Sequence, residues 1–239
     1  MTQATYTYAY GRGTQTFTLD DSLVMKEIRT RAFTPITDIK GSVLEAIEHP
    51  IGSAPLRDLI KPGDTVAFIC NDPTRVANSF DFMPVFLEYL NQLGVPDENM
   101  SIVFALGTHR AMTEAEMAEA VSPEVARRVC CINSISTIDE DFEYQGTTSR
   151  GTPVWIHKAL CHVDHVILTG TIVHHYFSGY GGGRKAVLPG CAAMETVRVN
   201  HSFMMDEHAK LGVMDGNPCY EDQMEGVGLF AKNRSLFLF

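Results

Sequence analysis

Apolar and polar positions along this chain follow two periods, one suited to strands and one to helices. Residues 5–19 alternate as YTYAY, GRG and TQTFTL, which predicts two strands around a glycine turn. Residues 38–48 carry a helical stripe (Ile39, Val43, Leu44, Ile47) closed by Pro50 and Gly52. After the turn at Lys61-Pro-Gly-Asp64, TVAFIC has the length and β-branched content of a buried strand, and it ends in Asn71-Asp72-Pro73-Thr74-Arg75. Residues 80–93 form an apolar helix stopped by Gly94. A second buried strand, 100–106, runs into Gly107-Thr108-His109-Arg110. Thr113 to Glu116 is a capping box, Ser122-Pro123 opens another helix to about 129, and 130–132 suits a short third strand. Polar alternation over 141–160 predicts a hairpin standing off the main sheet. The strand 165–171 then empties into TIVHHYFSGYGGGRK; 193–208 reads as a helix, 214–218 as a turn, and the terminal SLFLF as the start of a strand.

Strand–helix alternation of this kind predicts an α/β fold, with a largely parallel, Rossmann-like sheet, flanking helices and a small β-hairpin element. In such sheets ligands bind beyond the carboxyl ends of the strands. Three apolar strands here finish in polar clusters, Asp72/Arg75, His109/Arg110 and His174/His175, and parallel strands would bring all three to one edge. That convergence is the main functional expectation drawn from the pattern alone.

Composition narrows the partners. The 239 residues are 45% hydrophobic, enough to bury a full core, and a formal net charge of −10 argues against nucleic acid or an anionic membrane as the main partner. An anionic ligand must therefore meet a local positive cluster. No apolar run approaches the roughly 20 residues of a membrane span, and MTQATYTYAYGRG has neither the basic start nor the apolar stretch of a signal peptide. The six cysteines form no CxxC pair and sit largely in apolar runs, as free thiols do in a reducing compartment, so the expected location is cytoplasmic.

The candidate chemistry lies in the strand-end clusters and the glycine loop. His109 and His175 could act as acid and base near pH 7, and two such groups on opposite sides of a carbon suit inversion of a stereocentre. For His109 the plainer alternative is a loop histidine hydrogen-bonded to the backbone, and of the adjacent His174 and His175 at most one is expected to point into a site. Arg75 could hold a carboxylate in bidentate fashion with Asp72 orienting it or a histidine, and a local ion pair is the alternative. Gly179, Gly181, Gly182 and Gly183 expose backbone N–H groups suited to phosphate, but the spacing is not that of a P-loop and Ala186 stands where Ser or Thr should be. Lys185 could serve as anion ligand, nucleophilic amine or solvated charge. His201 follows on a helix; with no HExxH, CxxC pair or carboxylate cluster nearby, a metal bound there would need most of its ligands from outside the chain.

Taken together, NDPTR (71–75), ALGTHRAMTEAE (105–116), HYFSGYGGGRK (175–185), LPG (188–190), NH (200–201) and DGNP (215–218) resemble the nickel-dependent lactate racemase family. The resemblance implies a two-domain α/β protein whose cleft holds a nickel-pincer nucleotide, a nicotinate-derived ring carrying nickel between two sulfurs and a carbon. By that resemblance His201 corresponds to the remaining nickel ligand and Lys185 to the lysine tethering the cofactor. The glycines at 179 and 181–183 would cradle its phosphate, His109 and His175 would be alternating acid/bases, and Asp72 and Arg75 would orient substrate and cofactor. The implied partners are a small 2-hydroxy acid and the cofactor-biosynthesis enzymes.

Two departures accompany the match. The family pattern leads one to expect serine where Gly181 stands, and a longer chain, so residues 1–239 are read as a single N-terminal cofactor and catalytic domain without the family's C-terminal domain. The expected function is racemisation or epimerisation of a small 2-hydroxy acid. One alternative is an incomplete or non-catalytic domain that holds the nucleotide without turnover. Another, independent of the resemblance, is a phosphate-binding hydrolase or transferase using Lys185 and His109.

Overall fold

The computed structural model describes residues 2–232 and 234–239. These divide into two compact units, 1–37 and 38–239. In the first, β1 (Gln3–Tyr10) pairs antiparallel with β2 (Gly13–Asp20) around Gly11, as the alternation predicts. Tyr6 and Tyr8 both stack on Phe17 across the ladder, the cross-strand aromatic contact that favours an isolated hairpin.

The second unit begins with α1 (Ile39–Glu48) and the short α2 (Leu56–Leu59), and then alternates strand and helix. β3 (Val66–Asn71) leads to α3 (Ser79–Gln92), β4 (Met100–Ala105) to α4 (Glu114–Val121) and α5 (Pro123–Arg128), and β5 (Cys130–Asn133) follows. Next come a two-stranded antiparallel pair, β6 (Phe142–Thr147) and β7 (Pro153–His157), and the single turn α6 (Lys158–Cys161). β8 (His165–Leu168) opens the glycine-rich stretch, which contains the two-residue strands β9 (His174–His175) and β10 (Gly179–Tyr180) and the turn α7 (Arg184–Val187). The chain continues through α8 (Met194–Ser202) and α9 (Pro218–Ala231) to β11 (Ser235–Leu238).

Five strands form one fully parallel sheet in the order β11-β8-β3-β4-β5. Successive strands run outward from β3 through β4 to β5, and then resume on its other side with β8 and β11. The order reverses between β3 and β8, and the loops leaving their carboxyl ends part there to opposite faces, opening a crevice.

Both faces of the sheet are covered, so its strands read as continuous apolar runs rather than half-polar ones. In β3, Val66, Phe68 and Cys70 point to a core shared with α1 and α3–α5, where Phe68 and Phe86 meet edge to face. The intervening Ala67 and Ile69 point to a second core built by β7, α6, α7, α8 and α9. The period-two alternation of the strand therefore splits one apolar run between two cores. The β6–β7 pair is hydrogen-bonded apart from the main sheet, as expected, but it does not stand clear of it: Val154 and Ile156 are fully buried in the second core.

Three expectations are corrected. The strand 165–171 ends at Leu168; Thr169 still pairs with the Ile69 carbonyl, and the chain then turns at Gly170 against the Asn71 side chain. The helix over 193–208 stops at Ser202, whose hydroxyl donates back to the Val199 carbonyl, and one 3-10 turn (Phe203–Met205) follows. Residues 218–231, for which no element is expected, form the full helix α9. Gly226 and Gly228 weaken its helical signal, yet a Cβ at Gly226 would sit 2.7 Å from Leu188 Cδ1. Close packing of α9 on α7 needs that glycine and outweighs its propensity cost of about 1 kcal/mol.

Candidate active site

The strand ends converge as the parallel sheet requires. Residues after β3, β4 and β8 surround a cavity of about 630 Å³ at the point where the strand order reverses. Its walls include Asp72, Arg75, His109, His174, His175, Gly181, Gly182, Lys185 and His201. Arg110 is not among them; its guanidinium forks onto Glu116, the acid of the α4 capping box, at 2.5 and 2.8 Å.

Asp72 is buried, and both its oxygens are engaged. Oδ1 accepts the Thr74 backbone N–H at 2.7 Å, and Oδ2 lies 3.0 Å from His109 Nδ1. An ionised carboxylate only accepts, so Nδ1 of His109 carries the proton and Nε2 of the neutral ring presents a lone pair. His109 is thereby set as a base. Arg75, one turn beyond Asp72, is exposed on the cavity wall, and among the described residues no carboxylate pairs with it. Its guanidinium is free for a ligand carboxylate or phosphate.

His175 is half-buried and oppositely arranged. The Ser178 backbone N–H donates to its Nδ1 at 3.2 Å, so in the neutral ring the proton resides on Nε2. Burial, followed by the nearby Lys185, His201, Arg75 and Arg184, pushes His175 down to about 4. His174 lies nearer the rim, exposed, against the Tyr180 ring.

Phe177 organises the floor, a role the sequence reading missed. Its buried ring meets His175 edge-on at 4.6 Å and His201 at 5.0 Å, and Lys185 Nζ lies 5.7 Å from its centroid. The available signal was a phenylalanine inside the run His174-His-Tyr-Phe-Ser178, beside the more conspicuous histidines. Against this apolar floor, burial first and the positive Arg184 and Arg75 second bring Lys185 down to about 7. His201 falls to about 4, chiefly by burial and then by Lys185, with the Val197 carbonyl one turn back opposing. Its Nδ1 is buried without a partner in hydrogen-bonding geometry. The cavity therefore collects two imidazoles, His175 and His201, that burial keeps neutral at neutral pH, and one amine that is about half discharged there, inside an acidic protein.

The sequence profile of the lactate racemase N-terminal domain family matches residues 10–212, most of the chain. The chain belongs to that family. The lactate racemases of Thermoanaerobacterium thermosaccharolyticum and Lactiplantibacillus plantarum are each 29% identical to it over 219 residues, covering 90% of this chain and 51% of theirs. It thus spans about half the length of these curated relatives. The lactate racemase apoprotein structure from T. thermosaccharolyticum matches with a TM-score of 0.84 at 26% identity, over 99% of this chain and 56% of that one. A Thermotoga maritima protein at 24% identity shares the fold, with a TM-score of 0.68 over 84% of this chain and 49% of its own.

Within this family member the glycines divide by task. Gly181 and Gly182 line the cavity, whereas Gly179 and Gly183 do not. Gly179 is buried with φ +72°, and a Cβ there would meet the Val213 carbonyl oxygen at 2.3 Å, so it serves close backbone packing. Gly181 is different: its φ is ordinary, and a Cβ would find Val173 Cγ2 at 3.4 Å, a normal contact. Gly181→Ser is therefore expected to change stability by no more than about 0.5 kcal/mol, while adding a hydroxyl to the cavity wall. Thermal denaturation checks this, and a loss above 2 kcal/mol would contradict the geometry.

Proposed function

We propose that this chain carries the catalytic half of a racemase or epimerase of small 2-hydroxy acids that works with a tethered nickel-pincer nucleotide. The convergence of the His109–Asp72 pair, His175, Lys185 and His201 on one switch-point cavity is the observation that supports it. Among the described residues no group of three or more His, Cys, Asp or Glu is placed to hold a metal ion. One buried neutral imidazole with an unpartnered nitrogen suits a metal that arrives with its other donors attached. Lys185, brought to about 7, offers an amine that is substantially unprotonated at neutral pH, the state in which it forms a covalent link.

When bound, the group supplies a reversible hydride acceptor, a chemistry that histidine, lysine, arginine and carboxylate side chains lack. The chain's own residues do the rest. Arg75 binds the substrate carboxylate. His109 Nε2 takes the hydroxyl proton of one enantiomer, while Asp72 holds the ring in the required tautomer and stabilises the imidazolium. His175 presents Nε2–H, which its contact with Ser178 leaves facing away from the backbone, as a hydrogen-bond donor to the substrate oxygen; to take the other enantiomer's hydroxyl proton it would first have to move its own proton to Nδ1. The two histidines handle only the hydroxyl proton; the change of face at carbon is what the bound group would supply.

The reading is tested by coexpression with the cofactor-making enzymes, denaturing intact mass, nickel quantitation, and chiral analysis of incubations with lactate and related 2-hydroxy acids. An adduct on Lys185, about one nickel per chain and loss of optical purity are the expected results. An adduct with nickel but no inversion would make the chain a cofactor-holding domain, and absence of both would remove the proposal. In the same preparation His201→Ala is expected to lose most of the nickel with an unchanged circular dichroism spectrum. Full nickel retention by that variant would exclude the ligand role.

A further inference from the structure

A continuous buried hydrogen-bond chain runs from α9 to the turn that carries His175. It begins at Asp222, whose side chain has no solvent exposure. Asp222 Oδ1 accepts from Thr148 Oγ1 at 2.5 Å, and Oδ2 accepts from Thr152 Oγ1 at 2.9 Å and from Asn200 Nδ2 at 2.8 Å. Gln223 Nε2 donates to Asn200 Oδ1 at 3.0 Å, and Gln223 Oε1 accepts the Ser178 hydroxyl at 2.8 Å. Arg184 then donates to the Ser178 carbonyl at 2.7 Å and to its hydroxyl oxygen at 3.2 Å.

The direction of every bond is set from one end. A carboxylate only accepts, so Asn200 must turn its NH₂ toward Asp222 and the Cys219 carbonyl and its oxygen toward Gln223. Gln223 must then give its NH₂ to Asn200, leaving its oxygen for Ser178. No amide can flip without leaving two buried groups unpaired, which would cost about 1–3 kcal/mol for each. Asn200, Asp222, Gln223 and Ser178 are all fully buried, so water cannot substitute. Asn217 reinforces the same turn by donating to the Phe177 carbonyl at 2.9 Å.

We infer that Gln223 is a positioning residue for the cavity: it relays the fixed polarity of the Asp222–Asn200 pair to Ser178, holding the Ser178 N–H against His175 Nδ1 so that the neutral ring carries its proton on Nε2. Gln223 touches no cavity atom itself; it acts through Ser178. The consequence is that His109 and His175 differ at rest, His109 presenting a lone pair and His175 a proton, although both follow strands of the parallel sheet. The inference deepens the racemase reading, but its test requires neither cofactor nor turnover, so the two stand or fall separately.

The measurement is long-range ¹H–¹⁵N NMR of the chain with ¹⁵N-labelled histidine at pH 7.5, with His175 assigned by its absence in His175→Gln. The unsubstituted chain is expected to show His175 as a single Nε2–H tautomer. Gln223→Leu is expected to raise the Nδ1–H population roughly fivefold, the weight of about one net hydrogen bond, with the His109 signals unmoved. Ser178→Ala, which cuts the relay at one hydroxyl, is expected to shift the ratio in the same direction, and it carries the test should Gln223→Leu fail to fold. An Nδ1–H tautomer in the unsubstituted chain would overturn the inference. So would an unchanged ratio in a folded variant, because a merely structural glutamine would alter stability without moving the proton.

Discussion

Lys185→Met is expected to abolish any covalent adduct while making the empty chain more stable at neutral pH. The Lys185 ammonium is disfavoured first by burial and then by Arg184 and Arg75, which brings it from its ordinary 10.5 to about 7. Because the folded value lies below the unfolded one, the unfolded chain binds this proton more tightly between about pH 7 and 10.5. Stability therefore rises with pH through that window, and below it the full cost of holding a charged or discharged amine in the cavity is present. After discounting for the part of the side chain that reaches solvent, that cost is a few kcal/mol. Methionine fills similar space beside Phe177 without the charge. Denaturant midpoints at pH 6.5 and 9.5 should thus differ between the two proteins at the lower pH and converge at the higher. Parallel curves at both would mean that Lys185 is solvated, and a retained mass increment in the variant would move the tether elsewhere.

On the proposed racemase reading, His109→Ala is expected to lower racemisation by cofactor-loaded protein about 10²- to 10⁴-fold, the usual weight of a positioned acid/base, with little change in fold because His109 is an exposed loop residue. Asp72→Asn tests the same pair more finely. An asparagine that keeps the Thr74 N–H contact through its oxygen would turn its NH₂ toward His109 Nδ1, shifting the ring proton to Nε2 and removing the lone pair. The expected loss approaches that of His109→Ala, although only an oxygen has become a nitrogen. Activity within tenfold of the parent in His109→Ala would remove the base role; a small loss in Asp72→Asn alone would show that the carboxylate orients without selecting the tautomer.

Much of the sheet is legible in the sequence because a strand buried on both faces must be apolar throughout, as VAFIC and IVFA are, and because polar clusters that break such runs mark their ends. The capping box at Thr113 and the Pro at the start of α5 are equally local signals, and the structure forms both helices where they point. Helix α9 is not legible. Its glycines disfavour a helix in isolation, and only packing against Leu188 and Val154 reverses the balance. The site divides in the same way. Histidine, lysine and glycine identities flag the loop, whereas Phe177 beneath them and the Gln223 relay behind them look like ordinary core residues in one dimension.

The sequence by itself determined the α/β class, the strand ends that bear polar side chains, and membership in a family, since these rest on local periodicity and residue identity. Tertiary structure decided the rest. Strand order places the crevice between β3 and β8, and burial lowers His175, Lys185 and His201 together. Which nitrogen of each histidine holds the proton depends on partners 37 residues away for His109 and three for His175. Proton affinity and tautomer are properties of surroundings, and the surroundings of a side chain are fixed only when distant segments meet.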